Sequence, residues 1–143
     1  MSDDDYMQMA YAEAQAAYDE DEIPVGAVVV CDGRVIASAH NQTERLGDTT
    51  AHAEMLALIA AEDELGSKYL DECTLYVTLE PCIMCAGAIG WAQVRRLVYG
   101  AADEKRGYSR FSPSPLHPKT EVTTGLMKEE CEQLIKKFFK EKR

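Results

Sequence analysis

The chain has 143 residues, 46% of them hydrophobic, which suits one compact domain with a sizeable core and excludes global disorder. No apolar run approaches the length that spans a bilayer, and the acidic start Met1-Ser2-Asp3-Asp4-Asp5 lacks the basic and apolar regions of a secretory signal, so a cytoplasmic protein without a membrane role is expected. The net charge of −10 is lopsided: 17 acidic and 3 basic residues over 1–72 give −14, while 8 and 12 over 73–143 give +4.

In chain order, residues 4–20 read as a helix, with Tyr6, Met9, Ala10, Ala14 and Ala17 on one side. Residues 26–31 (GAVVVC) read as a buried strand, and Asp32-Gly33 is a strong hairpin signal before a partner strand over 34–40. A polar loop over 41–50 follows. A second helix begins near Ala51, carries Met55, Leu58 and Ile59 inward, and stops at Gly66. Residues 74–79 (TLYVTL) read as a central strand, and Pro81 suits the first position of a third helix that runs to about Gln93.

Another strand is expected over 94–100. Residues 101–120, with Gly107 and three prolines, form a loop too long for a mere connector. A short strand over 121–124 leads into a last helix whose stripe is Met127, Cys131, Leu134, Ile135, Phe138 and Phe139. A hairpin followed by strand–helix alternation predicts a single domain over 1–143, an α/β fold of three layers, α/β/α, with a mixed sheet of about five strands.

The five cysteines argue against a secreted disulfide framework. Cys31, Cys73 and Cys131 sit in apolar surroundings and read as buried small hydrophobes. Cys82 and Cys85 differ: they form a C-x-x-C pair at the start of the third helix, where three-residue spacing places both sulfurs on one face and the helix N-terminus favours thiolates. His52 and Glu54 fall at the start of the second helix, so all four residues are expected to meet at one edge of the sheet.

One imidazole and two thiolates can hold one Zn2+ ion per chain and cancel its charge, leaving a fourth position open to water. Glu54 is then free for proton transfer, and activity is expected to depend on it. A structural zinc site would want a fourth Cys or His, and a redox dithiol leaves His52-Ala53-Glu54 unexplained. Iron is compatible with the same ligand set.

The ordered pair H-x-E and P-C-x-x-C, here His52-Ala53-Glu54 and Pro81-Cys82-Ile83-Met84-Cys85, is the signature of zinc nucleobase deaminases. With Pro24-Val25-Gly26-Ala27-Val28, Asn41, Thr78-Leu79-Glu80, Ala86-Gly87-Ala88, Tyr99-Gly100-Ala101 and Asp103, nearly the whole chain resembles the cytidine deaminase-like superfamily, and within it the bacterial tRNA-specific adenosine deaminases. The resemblance implies hydrolysis of the wobble adenosine of a tRNA anticodon to inosine by a homodimer. It implies His52, Cys82 and Cys85 as zinc ligands, Glu54 as proton shuttle, Asn41 as a partner of the flipped base, and Val30 and Ala53 as parts of the base pocket.

The segment 105–119 (KRGYSRFSPSPLHPK) departs from the loop expected of that family. Its Arg106, Tyr108, Arg110 and Phe111 could stack on bases or pair with phosphates, or order the loop against the protein body. The basic residues Arg95, Arg96, Lys105, Lys119 and the tail 136–143 could accept a polyanion locally, while the acidic whole-chain charge gives RNA binding no support. Two other readings share the zinc site: a deaminase of a free base or nucleotide (guanine, cytosine or deoxycytidylate), and a catalytically silent, zinc-stabilised partner subunit.

Overall fold

The computed structural model describes residues 1–142; Arg143, the last residue of the basic tail, lies outside the described residues. The elements run α1 (Asp3–Asp19), β1 (Gly26–Cys31), β2 (Arg34–His40), α2 (Thr43–Leu46), α3 (Ala53–Leu65), β3 (Cys73–Leu79), α4 (Ile83–Ala92), β4 (Arg96–Ala101), a 3-10 turn (Tyr108–Arg110), β5 (Glu121–Thr124) and α5 (Lys128–Glu141). They build one five-stranded sheet in the order β2-β1-β3-β4-β5. β1 runs antiparallel to β2 and β3, and β3, β4 and β5 run parallel, so the sheet is mixed as expected.

The hairpin forms because Asp32 and Gly33 both take positive φ, 53° and 73°, the geometry that matches a tight turn to strand twist. Alternation along each central strand then feeds two cores. Ala27 and Val29 of β1, Leu75 and Val77 of β3, and Leu97 and Tyr99 of β4 face α3 and α4. Val28, Val30, Tyr76 and Val98 face α1, with Tyr6, Met7 and Ala10. Both sheet faces are therefore covered, which is why β1 reads as an unbroken apolar run. α5 lies beside α1 on that second face.

α1 starts with a reciprocal cap: Ser2 Oγ accepts from the Asp5 N–H, and Asp5 Oδ2 accepts from the Ser2 N–H at 2.9 Å. Asp3 then pins this helix to the sheet. It accepts two hydrogen bonds from Arg96 at 2.8 and 2.7 Å and one from the Tyr76 hydroxyl at 2.6 Å. Arg96 and Tyr76 hold the Asp3 carboxyl below its usual range.

Several local expectations are corrected. In α1 the inward methionine is Met7, fully buried, while Met9 is exposed. In α3 Leu58 is buried, Met55 is half-buried and Ile59 is 60% exposed, because the small residues Ala53, Ala57 and Ala61 make the inward contact. The polar segment 41–50 contains the short helix α2, whose first amides are bound by buried Glu22: Oε1 accepts from Glu44 N–H at 3.1 Å and Oε2 from Arg45 N–H at 2.8 Å. Pro81 precedes the cap of α4, which is Cys82. Met127 caps α5 with φ 54° instead of lying within it, and Phe139 is exposed on the expected apolar stripe.

Candidate metal centre and its surroundings

Two helix starts create the site. His52 is the cap residue of α3 and Cys82 that of α4, both in extended backbone conformation, and Cys85 is the third residue of α4. His52 Nδ1 lies 3.7 Å from Cys82 Sγ and 3.5 Å from Cys85 Sγ. Tetrahedral zinc, with sulfur at about 2.3 Å and nitrogen at about 2.0–2.1 Å, separates such donors by roughly 3.5 Å. The donor set therefore fits a metal ion of that size, and it is the group of its kind among the described residues.

The charges are arranged for that chemistry. Cys82 is held down to about 3, by the hydrogen bond from Cys85 first, then by His52 and the Cys85 amide. Cys85 moves upward through the same sulfur pair and through its burial. His52 is raised, chiefly by its hydrogen bond with Cys82 and against its partial burial.

Glu54, the second residue of α3, is 4% exposed. Burial pushes its carboxyl up to about 7, and the charge of Cys82 adds to that rise while His52 opposes it. A carboxyl that changes protonation near neutral pH, buried beside a metal-ligand set, can both take and give a proton.

Asn41 follows β2 and is buried, its N–H donating to the Val25 carbonyl at 3.1 Å. The next residue, Gln42, donates to the carbonyl of Ala51 at 3.0 Å, which ties this corner to the residue before His52. The sequence-expected residues His52, Glu54, Cys82, Cys85 and Asn41 thus gather at one end of the sheet. Ala53 is fully buried between the two functional residues, with its methyl in the main core.

Val30 does not join them. It packs against Tyr6 and Tyr76 on the α1 face and pairs with Thr74, at the end of β3 away from Cys82. The alternation that sends Val29 toward α3 sends Val30 the other way. Val25, the residue just before the other end of β1, is the valine whose carbonyl accepts from Asn41.

Of the four loop residues, Arg106, Arg110 and Phe111 are exposed. Tyr108 is not available for stacking on a base: it is 7% exposed and packs edge-on against Tyr99, centroids 6.4 Å apart. It orders the loop against the body. Arg110 Nη1 donates to the Lys105 carbonyl within the loop.

Sequence reasoning missed the role of Glu80. It is 3% exposed and bonds to Asp103 and Ser109 of the 101–120 loop. The available signal was an acidic residue closing an apolar strand directly before Pro81-Cys82. A groove of about 690 Å³, lined by residues including Glu20, Thr43, Arg45 and Phe138, holds none of the motif residues. Chemistry, not concavity, marks the site.

Comparison with known proteins agrees with this geometry. The family model for MafB19-like deaminases matches residues 1–143. A tRNA-specific adenosine deaminase from Agrobacterium fabrum is 46% identical, with 96% of this chain and 94% of that one covered. One of the same name from Bacillus subtilis is 42% identical, over 99% and 91%. A structure solved in studies of A-to-I editing by tRNA:A34 deaminases superposes with a TM-score of 0.86 at 44% identity, covering 91% of this chain and 98% of that one. Guanine deaminase from Nitrosomonas europaea superposes at 0.82 with 26% identity, over 96% and 84%. The chain belongs to the MafB19-like deaminase family, and within it stands with the tRNA-specific adenosine deaminases.

Proposed function

We propose that this chain, acting as one domain over 1–143, hydrolyses the wobble adenosine of a tRNA anticodon to inosine, consuming water and releasing ammonia. The observation that carries the reading is the buried Glu54 beside the His52, Cys82 and Cys85 donors, in a chain 46% identical to a tRNA-specific adenosine deaminase along almost all of both. Guanine deaminases match less well along the chain, at 26% identity over 96% of it in one case and 39% over only 71% in another, which favours the tRNA substrate over a free base.

His52 Nδ1 and the sulfurs of Cys82 and Cys85 would hold zinc, which when bound supplies Lewis acidity that makes water a nucleophile near neutral pH. Glu54 takes one proton from the attacking water and delivers it to a ring nitrogen of the base, then takes the second from the newly formed hydroxyl and passes it to the departing amine. Its titration near 7 suits both directions of transfer. Asn41, 5% exposed and making no side-chain hydrogen bond among the described residues, offers its amide to the base. Val25 and Ala53 belong to the apolar core that backs the site. Arg106, Arg110 and Phe111 present two cations and an aromatic face to the anticodon loop.

A homodimer fits the face formed by α3 and α4. Trp91 is 86% exposed and Ile59 60%, and with Met55, Tyr69 and Ala88 they line a groove of about 430 Å³. Apolar surface of that kind, gathered on one face, marks an interface. No helix among the described residues is long and apolar enough to cross a membrane. A tRNA substrate and the free cysteines support a cytoplasmic place of work.

The test is an assay of zinc-loaded protein on tRNA, guanine, cytosine and free adenosine, reading inosine and ammonia. Inosine in tRNA is expected. Rapid guanine turnover with no inosine in any tRNA would overturn the reading.

A further inference from the structure

Glu80 lies one residue beyond β3 and two before Cys82. Among the described residues, the three hydrogen bonds of its side chain all go to one loop. Oε1 accepts from the Asp103 N–H at 3.0 Å; Oε2 accepts from the Ser109 N–H at 3.0 Å and from the Ser109 hydroxyl at 2.7 Å. Burying a carboxylate is costly unless it is well bonded, and an apolar side chain would fill this position more cheaply. Its presence calls for a task that hydrogen bonds perform.

The loop is fitted to this carboxylate. A Cβ on Gly107 would stand 2.3 Å from the Glu80 carboxyl carbon, so only glycine allows the approach. Gly107 also pairs with Cys82 as an isolated antiparallel bridge, and the Tyr108 N–H donates to the Pro81 carbonyl at 3.0 Å. Between the two anchors, Asp103 Oδ1 accepts from the N–H groups of Lys105 and Arg106 at 3.1 and 3.0 Å. Arg106 is exposed there.

We infer that Glu80 is a positioning residue: it latches the 103–110 loop to the turn that carries Cys82, and so sets where Arg106 and Arg110 meet the RNA around the reacting base. The inference rests on the proposed RNA substrate for its consequence, but the latch itself does not. Releasing the latch weakens RNA binding more than it slows the chemical step, because Glu54 and the metal ligands are held by α3 and α4.

The test compares wild type, Glu80→Gln and Ser109→Ala as zinc-loaded proteins. In Glu80→Gln the new amide sets donor against donor at either Asp103 or Ser109; Ser109→Ala removes one bond and keeps the carboxylate. Three quantities are read: metal content, hydrogen exchange of the 103–109 amides, and kcat and KM separately on an anticodon stem-loop. For Glu80→Gln the expected result is unchanged metal, exchange of the Asp103 and Ser109 amides faster by about ten-fold or more, KM up about ten-fold and kcat within about three-fold, with Ser109→Ala between it and wild type. Unchanged exchange, or loss of metal and kcat at constant KM, would overturn the latch. If Glu80→Gln does not fold, Ser109→Ala decides by the same readouts. If wild type makes no inosine, the RNA reading falls, and exchange alone still decides the latch.

Discussion

His52 Nδ1 and Cys85 Sγ lie 3.5 Å apart although 33 positions separate them in the chain. Neither residue could find the other locally. The parallel crossover from α3 through β3 to α4 brings two helix starts to the same sheet end, and the starts carry the donors.

That arrangement predicts a metal-dependent stability. Chelation, or Cys82→Ser, should remove the ion and lower the melting temperature. At free zinc about 100-fold above its dissociation constant the loss is about 2.7 kcal/mol, on the order of 10 °C for a chain of this size. Scanning calorimetry with parallel elemental analysis checks it; a melting temperature indifferent to metal would refute it.

Glu54→Gln separates chemistry from structure. The amide keeps the volume of a buried side chain but cannot carry the proton, so kcat should fall by about 10²–10⁴-fold. Metal content should stay at the wild-type level, since Glu54 is not among the ligands. Activity retained in this variant would remove Glu54 from the mechanism.

A pH effect on stability is expected at His40. Burial alone would lower its pKa, but Glu13 at 2.6 Å and Glu20 at 3.1 Å outweigh that and raise it. A raised histidine contributes stability that is fully present below the unfolded value near 6.5 and is lost as pH rises through the folded value. His40→Gln should therefore cost more at pH 5.5 than at pH 9. The difference should be at most about 1 kcal/mol, because Glu20 is partly exposed and shared with Arg45 at 3.7 Å. Urea denaturation of both proteins at the two pH values gives the comparison.

Trp91→Arg tests the oligomer. If the α3–α4 face is covered by a second copy, light scattering should show a dimer for wild type and a monomer for the variant. A wild-type monomer at working concentrations would leave the exposed Trp91 without this explanation.

Much of this could be read from the sequence, and the failures have physical causes. The hairpin at Asp32-Gly33, the unbroken strand Gly26–Cys31 and the parallel pair β3–β4 follow from turn chemistry and apolar patterning. The meeting of His52, Cys82 and Cys85 is legible because their spacing is itself chemistry. Ile59 reads as inward because an exposed apolar residue and a core residue look alike in sequence; both are apolar at helical spacing. Val30 was misassigned by one strand face and one strand end, a distinction that period-two alternation shows only once register is known. Tyr108 and Glu80 were opaque because their partners, Tyr99 and Ser109, are brought to them by the loop's path and not by any local pattern.

The central claim is tested most directly on whole tRNA. Wild type and Glu54→Gln, both loaded with zinc and with metal content verified, are incubated with tRNA bearing adenosine at the wobble position, and the product is sequenced. The account predicts adenosine read as guanosine at that position with wild type and almost none with Glu54→Gln. Equal conversion by both proteins, or no conversion by fully metallated wild type, would contradict it.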